Sequence, residues 1–118
     1  MNKEFNCPVE ATISLIGGKY KSVILFHLMG KTLRYSELHK KIPKATDKML
    51  AQQLRELEKD GLIKRTVYPV VPPKTEYNLT EFGESLSPIL NAMCNWGESY
   101  LNESVCGRVV RRKGLRDK

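Results

Sequence analysis

The sequence predicts a mainly α fold with one small antiparallel β-hairpin, and three observations carry that prediction. Residues 46–60 hold two distinct faces at helical spacing, Leu50, Leu54 and Leu57 on one and Lys48, Gln52, Arg55 and Lys59 on another. Beyond Gly61 the period changes from helical to alternating, so Leu62–Tyr68 and Thr75–Leu79 read as two strands. Between them, Pro69-Val-Val-Pro-Pro-Lys74 sets three prolines in six residues. That connector is too stiff for a tight two-residue turn and predicts a projecting loop.

The remaining elements follow in chain order. Cys7–Ile16 reads as a short helix with Pro8 at its first position, where a missing amide hydrogen costs nothing, and Gly17-Gly18 ends it. Lys19–Met29 is a second helix with Tyr20, Val23, Ile24 and His27/Leu28 on its inward face, stopped by Gly30. Thr32–Arg34 fits a very short strand, and Ser36–Ile42 a third helix with Leu38 and Ile42 facing inward. Thr46 is a good N-cap for the two-faced helix, Asp47 suits its positive end, and Gly61 stops it. Thr80 caps a last helix with Leu86, Leu90, Met93, Trp96 and Tyr100 on its apolar side. Pro88 falls inside that helix and is expected to kink it.

Size and charge limit the function. The 118 residues suffice for one domain, expected over residues 1–103, followed by a basic tail over 104–118 expected to be flexible. With 41% hydrophobic and 28% charged residues the chain reads as globular. Its longest apolar run, Val23-Ile24-Leu25-Phe26, is far too short to span a membrane. The three cysteines have no short spacing and the N-terminus lacks an apolar leader, so a cytoplasmic protein is expected. The net charge of +7 is less telling than it looks, because Gly107–Lys118 alone hold six bases and one acid. Nucleic-acid binding must be argued from where the other bases sit.

Enzyme chemistry has no visible carrier. His27 and His39 fall on predicted helices, and no Cys-x-x-Cys or His-x-x-x-His spacing offers a metal site. Gly17-Gly18-Lys19 lacks the length and the following Ser/Thr of a phosphate loop. No cofactor is expected. A thiol redox enzyme built on Cys7 would have to turn over, which nothing in the sequence supports.

Helix, helix, short strand, helix, helix, strand, stiff loop, strand, helix is the order of a winged helix-turn-helix. In it Ser36–Ile42 supports, Asp47–Asp60 recognises and the proline-rich loop is the wing. Several segments add to this reading: Cys7-Pro-Val-Glu, Ile16-Gly-Gly-Lys-Tyr-Lys21, Arg34-Tyr-Ser-Glu-Leu38, Lys48-Met-Leu-Ala-Gln-Gln-Leu-Arg-Glu-Leu-Glu58, Asp60-Gly-Leu-Ile63, Tyr68-Pro-Val-Val-Pro-Pro-Lys-Thr-Glu-Tyr77, Leu79-Thr80 and Trp96-Gly97. Together they resemble HxlR-type transcriptional regulators, the MarR-like winged-helix proteins. The resemblance implies a homodimer on a palindromic operator, assembled through the first and last helices. Tyr20, Lys44-Ala45, Val70 and Lys74 depart from the family's usual residues, and Lys74 lacks the planar fork of the arginine often found there.

On that reading the partner is double-stranded DNA. Lys19, Lys21, Arg34, Ser36, Arg65 and Lys74 would contact phosphates, while Thr46, Lys48, Gln52 and Arg55 face the major groove, with Gln53 at the margin. Leu86, Leu90, Met93, Trp96 and Tyr100 would form the dimer interface. Cys7 stands at a helix N-cap, where unpaired amides and the dipole favour a thiolate, and some HxlR-type proteins use such a cysteine to sense electrophiles or oxidants. Cys94 is expected to be packed and Cys106 exposed. The competing reading is a winged-helix protein-interaction module whose basic face is merely solvated.

Overall fold

The structure, a computed structural model, describes residues 4–103. The described residues form α1 (Pro8–Ile16), α2 (Lys21–Leu28), β1 (Leu33–Arg34), α3 (Tyr35–Lys41), α4 (Asp47–Lys59), β2 (Ile63–Tyr68), β3 (Lys74–Leu79), α5 (Glu81–Glu84) and α6 (Ser87–Glu103). They divide at the Leu86–Ser87 junction into two compact units, the first running through α5 and the second holding α6. The basic tail and Cys106 lie outside the described residues.

In the first unit, Pro8 opens α1 and Cys7 is its N-cap, in extended backbone and without a side-chain cap bond. The inward face of α2 differs from the expected one. Lys21, Ile24, Leu25 and Leu28 are buried, while Val23 lies exposed. The stripe is rotated by about one residue because a lysine fills a core position: its methylene stem packs while its ammonium meets a carboxylate.

The expected hairpin is part of a larger sheet. The strands run in the order β1-β3-β2, all antiparallel, with Leu33 opposite Tyr77 and Ile63 opposite Leu79. Two residues of β1 therefore pair along the free edge of β3, which would otherwise leave ladder groups unpaired.

Helix α3 starts where the Glu37 carboxylate accepts from the Arg34 amide at 2.8 Å, and it buries Leu38. At α4 the Thr46 hydroxyl accepts from the Met49 amide at 3.1 Å, and Leu50, Leu54 and Leu57 are fully packed. Burying each such side chain contributes roughly 1.5–3 kcal/mol. Gly61, at φ +79°, adopts the left-handed turn that ends α4, and the Leu62 amide donates back to the Leu57 carbonyl at 3.0 Å.

Thr80 then closes the unit. Its hydroxyl accepts from the Gly83 amide at 3.0 Å and donates to the Gly61 carbonyl at 2.6 Å, so one side chain joins the start of α5 to the end of α4. A Cβ on Gly83 would overlap the Leu62 carbonyl, which fixes glycine there.

The single kinked helix expected after Thr80 is instead two helices, α5 and α6, interrupted at Ser85–Leu86. Pro88 is the second residue of α6. In a first turn its missing amide removes no helical bond, so the proline starts a helix rather than bending one. Along α6, Leu90 is buried, whereas Met93, Trp96 and Tyr100 are exposed, and the Trp96 and Tyr100 rings stack at 5.6 Å. Leu86, half-buried, belongs to the preceding break rather than to this helix.

Candidate nucleic-acid interface

The side of α4 opposite its leucines is open. Lys48, Gln52, Arg55 and Lys59 are all exposed, as the spacing predicted. Thr46 is exposed too, but its hydroxyl oxygen is occupied by the cap. The face is not isolated from acids, however. Gln52 Nε2 donates to Glu56 Oε2 at 3.1 Å, and Glu56 Oε1 lies 2.8 Å from Lys21 Nζ. Lys21 and Gln52 together hold the Glu56 carboxyl below the usual carboxylate range. Glu58, two residues further on, meets Arg65 Nε at 3.6 Å.

Two residues assigned to DNA contact are placed elsewhere. Lys21 is only 8% exposed and is paired with Glu56, so its ammonium does not present to a phosphate. Gln53 is 9% exposed, and its Oε1 accepts from the Tyr20 amide at 2.9 Å, tying the start of α2 to α4. Gln53 therefore serves the packing of α4 and not its outer face. Both residues break the simple rule that polar side chains point outward, and both are satisfied by a specific partner.

The remaining phosphate candidates lie outside α4. Lys19, Arg34, Ser36 and Arg65 are exposed, and Lys74 is half-buried, 3.6 Å from Glu76 and 4.9 Å from the centre of the Tyr68 ring. Arg55 and Arg65 line one depression of about 400 Å³ with Tyr35, Glu58 and Tyr77. Beyond β2 the wing, residues 69–73, ends in Val71, which is 98% exposed.

The turn between α3 and α4 holds a network that the sequence reading missed. Tyr35 Oη donates to Asp47 Oδ1 at 2.8 Å, and His39 Nδ1 lies 3.3 Å from the same oxygen. His39 Nε2 donates to the Ala45 carbonyl at 2.9 Å. Burial, with the Asp47 hydrogen bond adding to it, pushes the Tyr35 phenol up to about 12, so it stays a donor at any physiological pH. These bonds fix how α4 leaves α3. The one sequence signal was the four-residue spacing of Tyr35 and His39 on a short helix.

Cys7 is exposed and Cys94 is half-buried. Among the described residues no group of His, Cys, Asp and Glu is arranged to hold a metal ion. No helix among them is long and apolar enough to cross a membrane.

Comparison with known proteins agrees with this arrangement. Residues 15–105 match the HxlR-like helix-turn-helix family. The uncharacterized HTH-type transcriptional regulator YdeP of Bacillus subtilis (strain 168) is 54% identical over 94 residues, covering 80% of this chain and 73% of that one. YtcD of the same organism is 55% identical over 100 residues, covering 85% and 79%. Among solved structures, the redox regulator HypR in its oxidized form superposes with a TM-score of 0.76 at 50% identity, covering 79% of this chain and 96% of that one. Diamide-treated YodB of B. subtilis gives 0.66 at 35% identity, covering 82% and 97%. The chain belongs to the HxlR-like helix-turn-helix family and is a DNA-binding transcriptional regulator, not an enzyme.

Proposed function

We propose that the protein acts as a homodimer on a palindromic operator and that modification of Cys7 changes its affinity for DNA. The observation that carries the DNA reading is α4 itself, which buries Leu50, Leu54 and Leu57 completely and leaves Lys48, Gln52 and Arg55 exposed along the other side. A helix of that kind lies in a major groove with its donors toward base edges. The exposed Arg34, Ser36, Lys19 and Arg65 and the half-buried Lys74 would contact phosphates, which set register without reading sequence.

Dimerisation is supported by apolar surface that a lone chain leaves in water. On α6, Trp96 is 70% exposed beside Met93 and Tyr100, and on α1 Val9 and Ile13 are exposed. Two copies joined there would present two reading helices roughly 34 Å apart, one turn of the duplex.

The thiol reading is supported by the exposure of Cys7 at the start of α1 and by neighbours described as a redox regulator and as diamide-treated. Diamide takes two electrons and two protons from a pair of thiols and leaves a disulfide. A bond between the Cys7 residues of two subunits would re-aim both reading helices, and a dimer bound to paired half-sites tolerates little misfit. The test is operator binding before and after diamide, with wild type and Cys7→Ser in parallel. Wild type is expected to change affinity and Cys7→Ser to stay constant. An equal response from both would remove Cys7 from the mechanism.

A further inference from the structure

We infer that Glu56, held by the buried Lys21, orients the Gln52 amide and thereby sets which base α4 prefers; the inference rests on the base-reading role of Gln52 proposed above. Two contacts in series run from the interior of the first unit to its reading face. Lys21 Nζ lies 2.8 Å from Glu56 Oε1, and Gln52 Nε2 donates to Glu56 Oε2 at 3.1 Å. Lys21, only 8% exposed, acts on the face through Glu56.

A glutamine amide turned by half a rotation exchanges its oxygen and its nitrogen. On an open helix face nothing chooses between the two. A carboxylate does choose, because it only accepts, so Nε2 must point toward it. One Nε2 hydrogen is then used on Glu56, while the second hydrogen and Oε1 stay side by side on the free edge. That edge is one donor beside one acceptor. It matches the N7 acceptor and N6 amino donor of adenine and mismatches guanine, which offers two acceptors, N7 and O6. Lys21 completes the device. A lone carboxylate on a face aimed at phosphates would repel them, and the ammonium behind it cancels that charge. Lys21 and Glu56 are thus positioning residues and Gln52 is the group that touches the base.

Glu56→Gln tests the idea with little change of shape, since an amide at that position both donates and accepts and lets Gln52 turn either way. Full-length wild type, Gln52→Ala, Glu56→Gln and the double variant are titrated with operator duplexes in which each base pair of a half-site is changed in turn. Gln52→Ala is expected to lose discrimination at one adenine. Glu56→Gln is expected to lower the adenine-over-guanine preference roughly fivefold at that same base pair and nowhere else. The double variant is expected to match Gln52→Ala, because Glu56 acts only through Gln52. Lys21→Met should lose preference at the same base pair, and if it does not fold, Glu56→Gln carries the test alone.

A loss in Gln52→Ala with full preference kept in Glu56→Gln overturns the positioning role and leaves Gln52 as a reader. Unchanged discrimination in Gln52→Ala overturns the reader and the inference with it. A Glu56→Gln protein that weakens on every duplex alike, with a lowered Tm, shows a structural role only and also overturns the inference.

Discussion

Helices α4 and α6 solve opposite halves of one problem. In α4 the apolar stripe is finished within the first unit, and the polar side is left open. In α6 Leu90 is buried, but Met93, Trp96 and Tyr100 stay in contact with water. Leaving charged and amide groups exposed costs a protein almost nothing, so the open face of α4 persists in a free chain and waits for a polar partner. Leaving a Trp, a Tyr and a Met exposed forgoes roughly 25 cal/mol for every Å² of apolar surface. The difference supports the partners proposed above, nucleic acid for α4 and a second protein surface for α6.

The comparison breaks most visibly at α6. Met93→Asp puts a charge into the exposed apolar side. It should produce a folded monomer whose operator affinity falls by about a hundredfold or more, since two linked half-site contacts become one. Sedimentation and gel shift report both effects. Leu54→Ala strikes the finished side of α4 instead. Removing that packed side chain is expected to cost about 3 kcal/mol of stability, read from urea unfolding, with base preference unchanged in the folded fraction. Gln52→Ala and Arg55→Ala strike the open side. Each should cost roughly 1–3 kcal/mol of specific binding, confined to particular base pairs, while the urea midpoint stays where it was.

The smallest effect is an acid sensitivity in the scaffold beneath α4. Burial, helped by Lys41 and Lys31, holds the His27 imidazole below its ordinary value of 6.5. The unfolded chain then takes up a proton that the folded chain resists. Stability is therefore present above 6.5 and declines as pH falls through that value toward the lowered one. Urea midpoints at about pH 7.5 and about pH 5.5 should show the decline, and His27→Gln should flatten it.

Most of the fold was legible because its signals are local. Thr46, the leucine spacing and Gly61 define α4 without reference to anything distant, and the change of period marks the strands. What the sequence hid depends on partners far along the chain. Lys21 is a charged residue in the position of a core residue, and Glu56, on another helix, makes that tolerable. Gln53 looks like its neighbour Gln52 in the sequence, yet its amide closes on the Tyr20 backbone. Two-residue β1 carries too little pattern to announce that it will complete the β3 edge. Pro88 was legible as a disruption, but whether a proline bends a helix or starts one depends on where the preceding turn ends.

The most direct test of the two-helix division is selection of bound duplexes from random DNA, followed by sedimentation of the complex formed on the enriched sequence. An inverted repeat with half-site centres roughly one helical turn apart, carrying two chains per duplex, is the predicted result. A single unrepeated motif bound by one chain, or a pool with no enriched sequence and only salt-sensitive binding, would contradict it.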